Sequence, residues 1–329
     1  MADNNNLLII AEYSKNRIHP VILELLNKGR ELADKADLKV NVLILAAENI
    51  ENSELNELIY HGADEIQLLI NDNFAYPDEY LFKKAVLKFL EQKFPEIILI
   101  GATNFGRSLA PRLAAALKTG LTADCTELDI AEDGSLLQIR PAFSENILAH
   151  IKSDTKPQMA TVRYQEFAKA ARNENRKGKI TIEEIDFKEN DSVKEIEKIS
   201  DQQINITEAE VVVAGGSGVK NAEDFKMLQE LADIFNGVVA VSRDVVDQGL
   251  MPKERQIGYS GQRVKPKVYF AFGISGAPQH LAGMKEAETI IAVNTDPEAP
   301  IFEACDYGIV GDLHQVVPML TEAFEQAIN

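Results

Sequence analysis

A chain of 329 residues exceeds what one ordinary hydrophobic core accommodates, so two domains are expected, and a 45% hydrophobic content suffices to fill both. With 52 acidic against 34 basic residues the net charge is −18, which argues against nucleic acid as the main partner because phosphate is repelled. No run reaches the roughly 18 apolar residues of a membrane helix, and the start M-A-D-N-N-N-L-L-I-I carries no signal or transit pattern, so a cytoplasmic protein without membrane insertion is expected.

The first half alternates apolar runs with helical periodicity. Strands are expected at Leu7–Ala11, Val40–Ala46, Ile66–Ile70 and Ile97–Gly101, with helices at Pro20–Ala36, Glu54–His61 and Leu81–Phe94. In the last, Phe82, Val86, Phe89 and Leu90 fall at helical spacing. Buried strands alternating with helices call for a parallel α/β sheet. The strand at 97–101 runs into a polar, glycine-bearing loop, Asn104–Ser108, ahead of a helix Leu109–Lys118. Ligands of open α/β sheets gather at such carboxyl ends, although an ordinary capped helix would read similarly. Arg163, after a strand Met159–Val162, is expected at an interface or in a buried pair. Cys125 and Cys305, both in apolar strand-like contexts, read as buried reduced thiols rather than a disulfide or metal site.

From Phe167 to about Thr207 Lys, Glu, Asp and Asn dominate, which reads as a solvated edge strand plus a charged connector, 167–205. The domain boundary is expected at its end, giving an N-terminal domain over 1–205 and a second over 206–329.

In the second half a strand Glu210–Ala214 ends in Gly215-Gly216-Ser217-Gly218 before a helix Ala222–Phe235. G-G-S-G does not complete the dinucleotide fingerprint, and a tight turn would explain it. The strand Val238–Val241 delivers Ser242 and Arg243 to the carboxyl end of the sheet, where Arg243 could simply pair with Asp244 or Asp247. A polar loop, R-Q-I-G-Y-S-G at 255–261, precedes the apolar run Val268–Phe272. A Gly273-Ile274-Ser275-Gly276 turn follows, and a helix opens at about Ala277. Free N–H groups at a helix start make an anion site, and glycines let a ligand approach the backbone. Gln279 and His280 lie in that first turn; the alternative is a cap with a surface histidine. Asn294 ends a strand at 288–293 and Asp312-Leu313 opens a last helix, positions that also suit simple caps. Val316, Val317, Leu320 and Phe324 form the core face of that helix.

The string G-I-S-G-A-P-Q-H-L-A-G-M at 273–284 resembles the signature of the electron transfer flavoprotein (ETF) alpha subunit. T-I-I-A-V-N-T-D-P-E-A-P at 289–300 and I-F-E-A-C-D-Y-G-I-V-G-D-L-H-Q-V-V at 301–317 continue the resemblance. Val211–Gly218, Ser242-Arg243-Asp244 and Arg255–Gly261 fit it in order, and Gly101–Leu128 matches more weakly. The resemblance implies a doubly wound, FAD-binding parallel sheet in the second domain, and contact of the first with an ETF beta subunit. Thr119–Cys125 and Arg140–Phe143 resemble motifs of that contact; the family's two glycines after R-P-A-F are replaced by Ser144-Glu145.

It further implies that Arg243 lies against the isoalloxazine ring, with Ser242 beside it. The loop of Ile257, Gly258, Tyr259 and Ser260 would cross the flavin, Ser260 bonding near N5. Ser275, Gly276, Ala277, Pro278 and Gln279 would cradle the diphosphate and ribityl chain, and His280 would meet flavin O2. Asn294, Asp312 and Leu313 would hold the adenosine end. Ser217 stands where the family usually has Arg, and Tyr259 where some relatives have Gln. The implied activity is electron transfer through one FAD, from acyl-CoA dehydrogenases or other flavin dehydrogenases to a further acceptor. The implied form is a heterodimer whose beta subunit holds AMP or FAD. The alternative is a bifurcating ETF, in which NADH and ferredoxin act through a second FAD in the beta subunit. An NAD-dependent dehydrogenase is disfavoured by the incomplete fingerprint. No nucleophile, general base or metal cluster suggests itself.

Overall fold

The structure, a computed structural model, describes residues 5–14, 16–75, 78–142, 147–186 and 205–328. The chain divides into two compact units, Met1–Ile196 and Glu197–Asn329, each with its own α/β sheet. The boundary expected at 205/206 adjoins the stretch 187–204, which lies outside the described residues, as do residues 143–146 of the R-P-A-F loop.

In the first unit, seven parallel strands take the order β10-β3-β2-β1-β4-β9-β5: β1 (Asn6–Ala11), β2 (Lys39–Ala46), β3 (Glu65–Ile70), β4 (Ile97–Gly101), β5 (Leu121–Cys125), β9 (Gln158–Val162) and β10 (Lys179–Glu184). Side chains of a strand alternate between faces, and β1 separates two cores accordingly. Leu7, Ile9 and Ala11 join one with helices α1 (Val21–Ala36) and α2 (Asn52–Tyr60). Leu8 and Ile10 join the other with α3 (Glu79–Leu90) and α4 (Asn104–Leu117). The edge strand expected in the charged segment is β10, whose residues are mostly exposed.

Two expectations need correction, and one sheet was not expected at all. The loop expected at Asn104–Ser108 is the first turn and a half of α4, because the Thr103 hydroxyl caps it by accepting from Gly106 N–H at 2.9 Å. The helix expected to reach Phe94 stops at Leu90. A three-stranded antiparallel sheet of β6 (Glu127–Ile130), β7 (Leu136–Ala142) and β8 (Ile147–Ile151) was not foreseen; Leu128 and Leu136 pack it onto the α1 core. Arg163 is half-buried beside Glu166, 3.4 Å away.

The second unit is a five-stranded, wholly parallel sheet in the order β12-β11-β13-β14-β15: β11 (Val211–Gly215), β12 (Val238–Val241), β13 (Val268–Phe272), β14 (Thr289–Asn294) and β15 (Tyr307–Val310). In sequence this is 2-1-3-4-5, a doubly wound order whose topological switch point lies at β11 and β13. The strand β15 was not foreseen. One face packs on the long helices α5 (Ala222–Ile234) and α9 (Leu313–Ile328), with Val317, Leu320 and Phe324 against it as expected. Among the described residues no long helix covers the other. Ile257, Val264, Ile274, Met284 and Ile301 cover it from loops and from the one-turn helices α7 (Pro278–Leu281) and α8 (Ile301–Ala304). The helix expected from Ala277 is therefore a single turn. Cys125 is fully buried, and burial pushes its thiol up to about 12; Cys305 is only half-buried and follows α8 rather than lying in a strand.

Candidate functional site

The sequence-predicted residues of the second unit gather along the carboxyl ends of its strands. The turns after β11 and β13 meet at the switch point, where Gly216 N–H donates to Phe272 O (2.9 Å) and Gly218 N–H to Gly273 O (3.2 Å). A Cβ on Gly216 would stand 2.3 Å from Gly273 O, so the two turns pack backbone on backbone. Ser217, between these glycines, is exposed. Leu313 closes the contact from the start of α9, its Cδ2 lying 3.2 Å from where Gly218 or Gly273 would carry a Cβ.

Past Gly273 the backbone is held without consuming its donors. Asn294 Nδ2 donates to Ile274 O (2.9 Å) and Ile301 N–H to Ser275 O (3.0 Å). Gly276, at φ +87°, presses so closely on Ile301 N that a Cβ would come within 2.3 Å. Among the described residues the N–H groups of Ile274, Ser275, Gly276 and Ala277 have no acceptor. Four successive free N–H groups in a glycine turn form a concavity suited to an anion. Ser275, Ala277, Pro278 and Gln279 are exposed around it.

The loop 256–262 joins β12 to this turn. Ile257 N–H donates to Val241 O (2.9 Å), extending β12, and Tyr259 N–H donates to Gln279 O (2.7 Å). Ile257 and Gly258 are buried, whereas Tyr259 is 66% exposed. The Ser260 hydroxyl, at the loop's tip, accepts from Gln256 Nε2 at 2.9 Å. Gln256 is itself 4% exposed and sets that side chain; sequence reasoning passed over it because a glutamine in a polar loop gives no signal of burial.

Ser242 and Arg243 begin the short helix α6 (Arg243–Asp247). Ser242 is buried and its Oγ has no hydrogen-bond partner among the described residues. Arg243 is exposed, its Nε 3.2 Å from Asp247 Oδ2, the plainer pairing allowed by the sequence. His280 is not a surface residue: it is 7% exposed, with Nε2 2.9 Å from the Tyr269 hydroxyl and Nδ1 without a hydrogen-bond partner among the described residues. Burial lowers its pKa to about 4 against the opposing pull of the Ile257 backbone and Asp244, so the ring is neutral at pH 7. Tyr269 was missed as a site residue. The signal was available, since a tyrosine inside a fully buried parallel strand needs a partner for its hydroxyl.

On the far side, Asp312 acts as the cap foreseen as an alternative: its Oδ1 accepts from His314 N–H (2.9 Å) and lies 2.8 Å from His314 Nδ1. His314 Nε2 reaches Asp224 Oδ1 of α5 at 3.1 Å, and the two carboxylates, Asp312 foremost, raise the histidine's pKa. The site thus offers free N–H groups for an anionic linker and, beyond them, two buried polar atoms for a further ligand group. No group of three or more His, Cys, Asp or Glu that could hold a metal occurs among the described residues.

Two family models match the chain: the electron transfer flavoprotein domain over residues 7–188 and the electron transfer flavoprotein FAD-binding domain over 205–285. The chain is 43% identical over 99% of both chains to the electron transfer flavoprotein subunit alpha of Thermoanaerobacterium thermosaccharolyticum. It is 41% identical to Protein FixB of Clostridium saccharobutylicum, over 100% of this chain and 99% of the relative. It is 39% identical to the lactate dehydrogenase (NAD(+),ferredoxin) subunit LctC of Acetobacterium woodii, over 98% of this chain and 78% of that one.

Proposed function

We propose, from the premise that the chain belongs to the electron transfer flavoprotein alpha-subunit family and binds FAD, that it carries one FAD at the switch point of its second unit. There it passes electrons from flavin dehydrogenases of the acyl-CoA dehydrogenase type to a further acceptor, in the cytoplasm, as a heterodimer with a beta subunit. The 206–329 segment is the FAD-binding domain and the first unit the beta-subunit contact.

The observation that carries this reading is the pair of buried polar atoms without partners, Ser242 Oγ and His280 Nδ1, at the carboxyl end of a 2-1-3-4-5 sheet. Buried polar groups are nearly always bonded, so two orphans at a sheet's ligand-binding end fit a ligand that supplies their partners. When bound, FAD supplies the electron storage; the chain's residues hold it and bias its charge. The free N–H groups of Ile274–Ala277 take the diphosphate, with Gly276 keeping the backbone bare. Asn294, Asp312 and Leu313 support the adenosine end, and Ser217 offers a hydroxyl where the family's arginine would bring charge. Ile257, Gly258, Tyr259 and Ser260 lie along the ring. Arg243 is held only by an exposed i,i+4 pair, a contact of about 0.3–0.5 kcal/mol. Its guanidinium is therefore free to turn onto an electron-rich ring. His280, neutral at pH 7, offers a dipole instead of a second charge, which favours added electron density while leaving the oxidised form bound.

Co-purification with the beta chain, followed by absorbance and FAD-to-protein stoichiometry, tests the reading. A yellow complex with FAD on this chain is expected; a colourless complex refutes it.

A second reading is favoured by the relative whose name contains NAD(+) and ferredoxin. In this bifurcating form the beta subunit would hold a second FAD, which would supply electron transfer from NADH to both ferredoxin and a dehydrogenase. Two flavins per heterodimer, with NADH-dependent ferredoxin reduction only when the dehydrogenase's substrate is present, would select it.

A further inference from the structure

We propose that Tyr269 is a positioning residue that fixes the tautomer of His280: its hydroxyl donates to Nε2, the imidazole proton stays on Nδ1, and the ring presents the cofactor with one neutral N–H donor. The proposal rests on the reading that His280 meets FAD.

Tyr269 lies in β13 with no exposed surface, and its hydroxyl has one hydrogen-bond partner among the described residues, His280 Nε2 at 2.9 Å. Two arrangements satisfy that distance. If Nε2 carried the proton, it would donate to the phenol oxygen; the phenol's own hydrogen would then have no acceptor, and Nδ1 would be a buried lone pair without a donor. If the phenol donates, Nε2 is satisfied as an acceptor and a single group, Nδ1–H, is left to pair. Unmatched buried polar groups carry the full cost of desolvation, so the second arrangement wins. Protonating both nitrogens is opposed by burial. Of the groups that act on the ring, Tyr269 on β13 is neutral, and among the described residues Asp244 on α6 is the carboxylate whose field reaches it, too weakly to reverse the effect.

The geometry also directs the free donor. The two ring nitrogens face opposite ways, so with Nε2 turned to Tyr269, Nδ1 points away from β13, and the ring feels the Ile257 backbone and Asp244 from the neighbouring loop and α6. An acceptor such as a ring carbonyl there completes the set. A phenylalanine at 269 would keep the packing and release the tautomer.

The test is nitrogen-15 NMR of histidine-labelled, FAD-loaded heterodimer. With the label confined to this chain, the signals of His280 are assigned among its five histidines by their loss in His280→Gln. The expected spectrum has a pyrrole-type Nδ1 and a pyridine-type Nε2, with the Nδ1 signal moving on dithionite reduction. In Tyr269→Phe the two nitrogens should shift towards average values. The reduced-to-oxidised binding ratio of FAD should fall about three- to tenfold, a midpoint lower by at most about 30 mV for a two-electron couple. A pyridine-type Nδ1 in the wild type, which needs no variant to fold, overturns the proposal, as does an unchanged tautomer in Tyr269→Phe. A pyrrole-type Nδ1 that ignores reduction overturns instead the reading that His280 touches the ring, and with it the presentation of the donor.

Discussion

The depressed pKa of His280 makes a quantitative demand on the stability of the second unit. Its imidazole ordinarily titrates at 6.5, and burial lowers this to about 4 in the folded chain. A folded pKa below the unfolded one means that stability is intact above pH 6.5 and is lost as pH falls towards 4, because only the unfolded chain takes the proton in that window. At pH 5 the unfolded imidazole is almost fully protonated and the folded one mostly is not, which amounts to about 2 kcal/mol at 1.36 kcal/mol per pH unit. Other groups titrate over the same range, so the quantity to measure is a difference. His280→Gln keeps an acceptor for Tyr269 but cannot titrate. Pulse-labelling hydrogen exchange across a urea series, read on peptides from residues 268–284, reports the second unit without assuming that the whole chain unfolds in one step. Between pH 7.5 and pH 5 the wild type should lose about 2 kcal/mol more than the variant. Equal losses would refute the assignment of a buried, neutral His280.

Arg243→Ala should lower the flavin midpoint potential, by about 30 mV for each 1.4 kcal/mol of lost preference for the reduced ring, while most FAD stays bound; an unchanged redox titration refutes that role. Ser242→Ala should act in opposite directions: the apoprotein holds or gains stability, because a buried hydroxyl without a partner is removed, while FAD binding weakens by about 1 kcal/mol. Loss of stability with unchanged FAD affinity would contradict it. His314 has a raised pKa, so its tie to Asp312 and Asp224 is intact below pH 6.5 and weakens as pH rises through the folded value. Exchange protection at the start of α9 should fall from pH 6 to pH 8 in the wild type and stay level in His314→Gln. Thiol titration of the native chain should give one faster-reacting cysteine, Cys305, and release Cys125 only in denaturant; two equal rates would refute the burial of Cys125.

Most strands of the two parallel sheets, though not β5 or β15, were readable because burial on both faces writes itself as an uninterrupted apolar run; Val238–Val241 and Ile97–Gly101 have the predicted bounds. The antiparallel strands β6–β8 alternate irregularly and carry Pro141 and exposed Ile147 and Leu148, so periodicity did not distinguish them from loops. Edge strand β15, four residues long, interrupted by Gly308 and mostly exposed, escaped because so short a run carries no period. At the site, glycine turns and short polar motifs marked where the backbone would approach a ligand. They could not tell which polar side chains would end up buried. Arg243 and His280 were both expected to meet the flavin ring, yet one lies in solvent beside Asp247 and the other is sealed against Tyr269. That difference comes from the tertiary path of the loop at 256–262, which no local pattern encodes.

Among the described residues, long helices roof the second unit's sheet on one side; on the other, the loop at 256–262 and the turn after β13 both cover the core and carry the site's residues. Shelter and grip are therefore the same piece of chain. Saturating FAD fastens that flap by mass action, and flavin starvation leaves it ajar, so proteases would make their first cut in the second unit between Lys253 and Lys265 and flavin supply would set how long the protein survives.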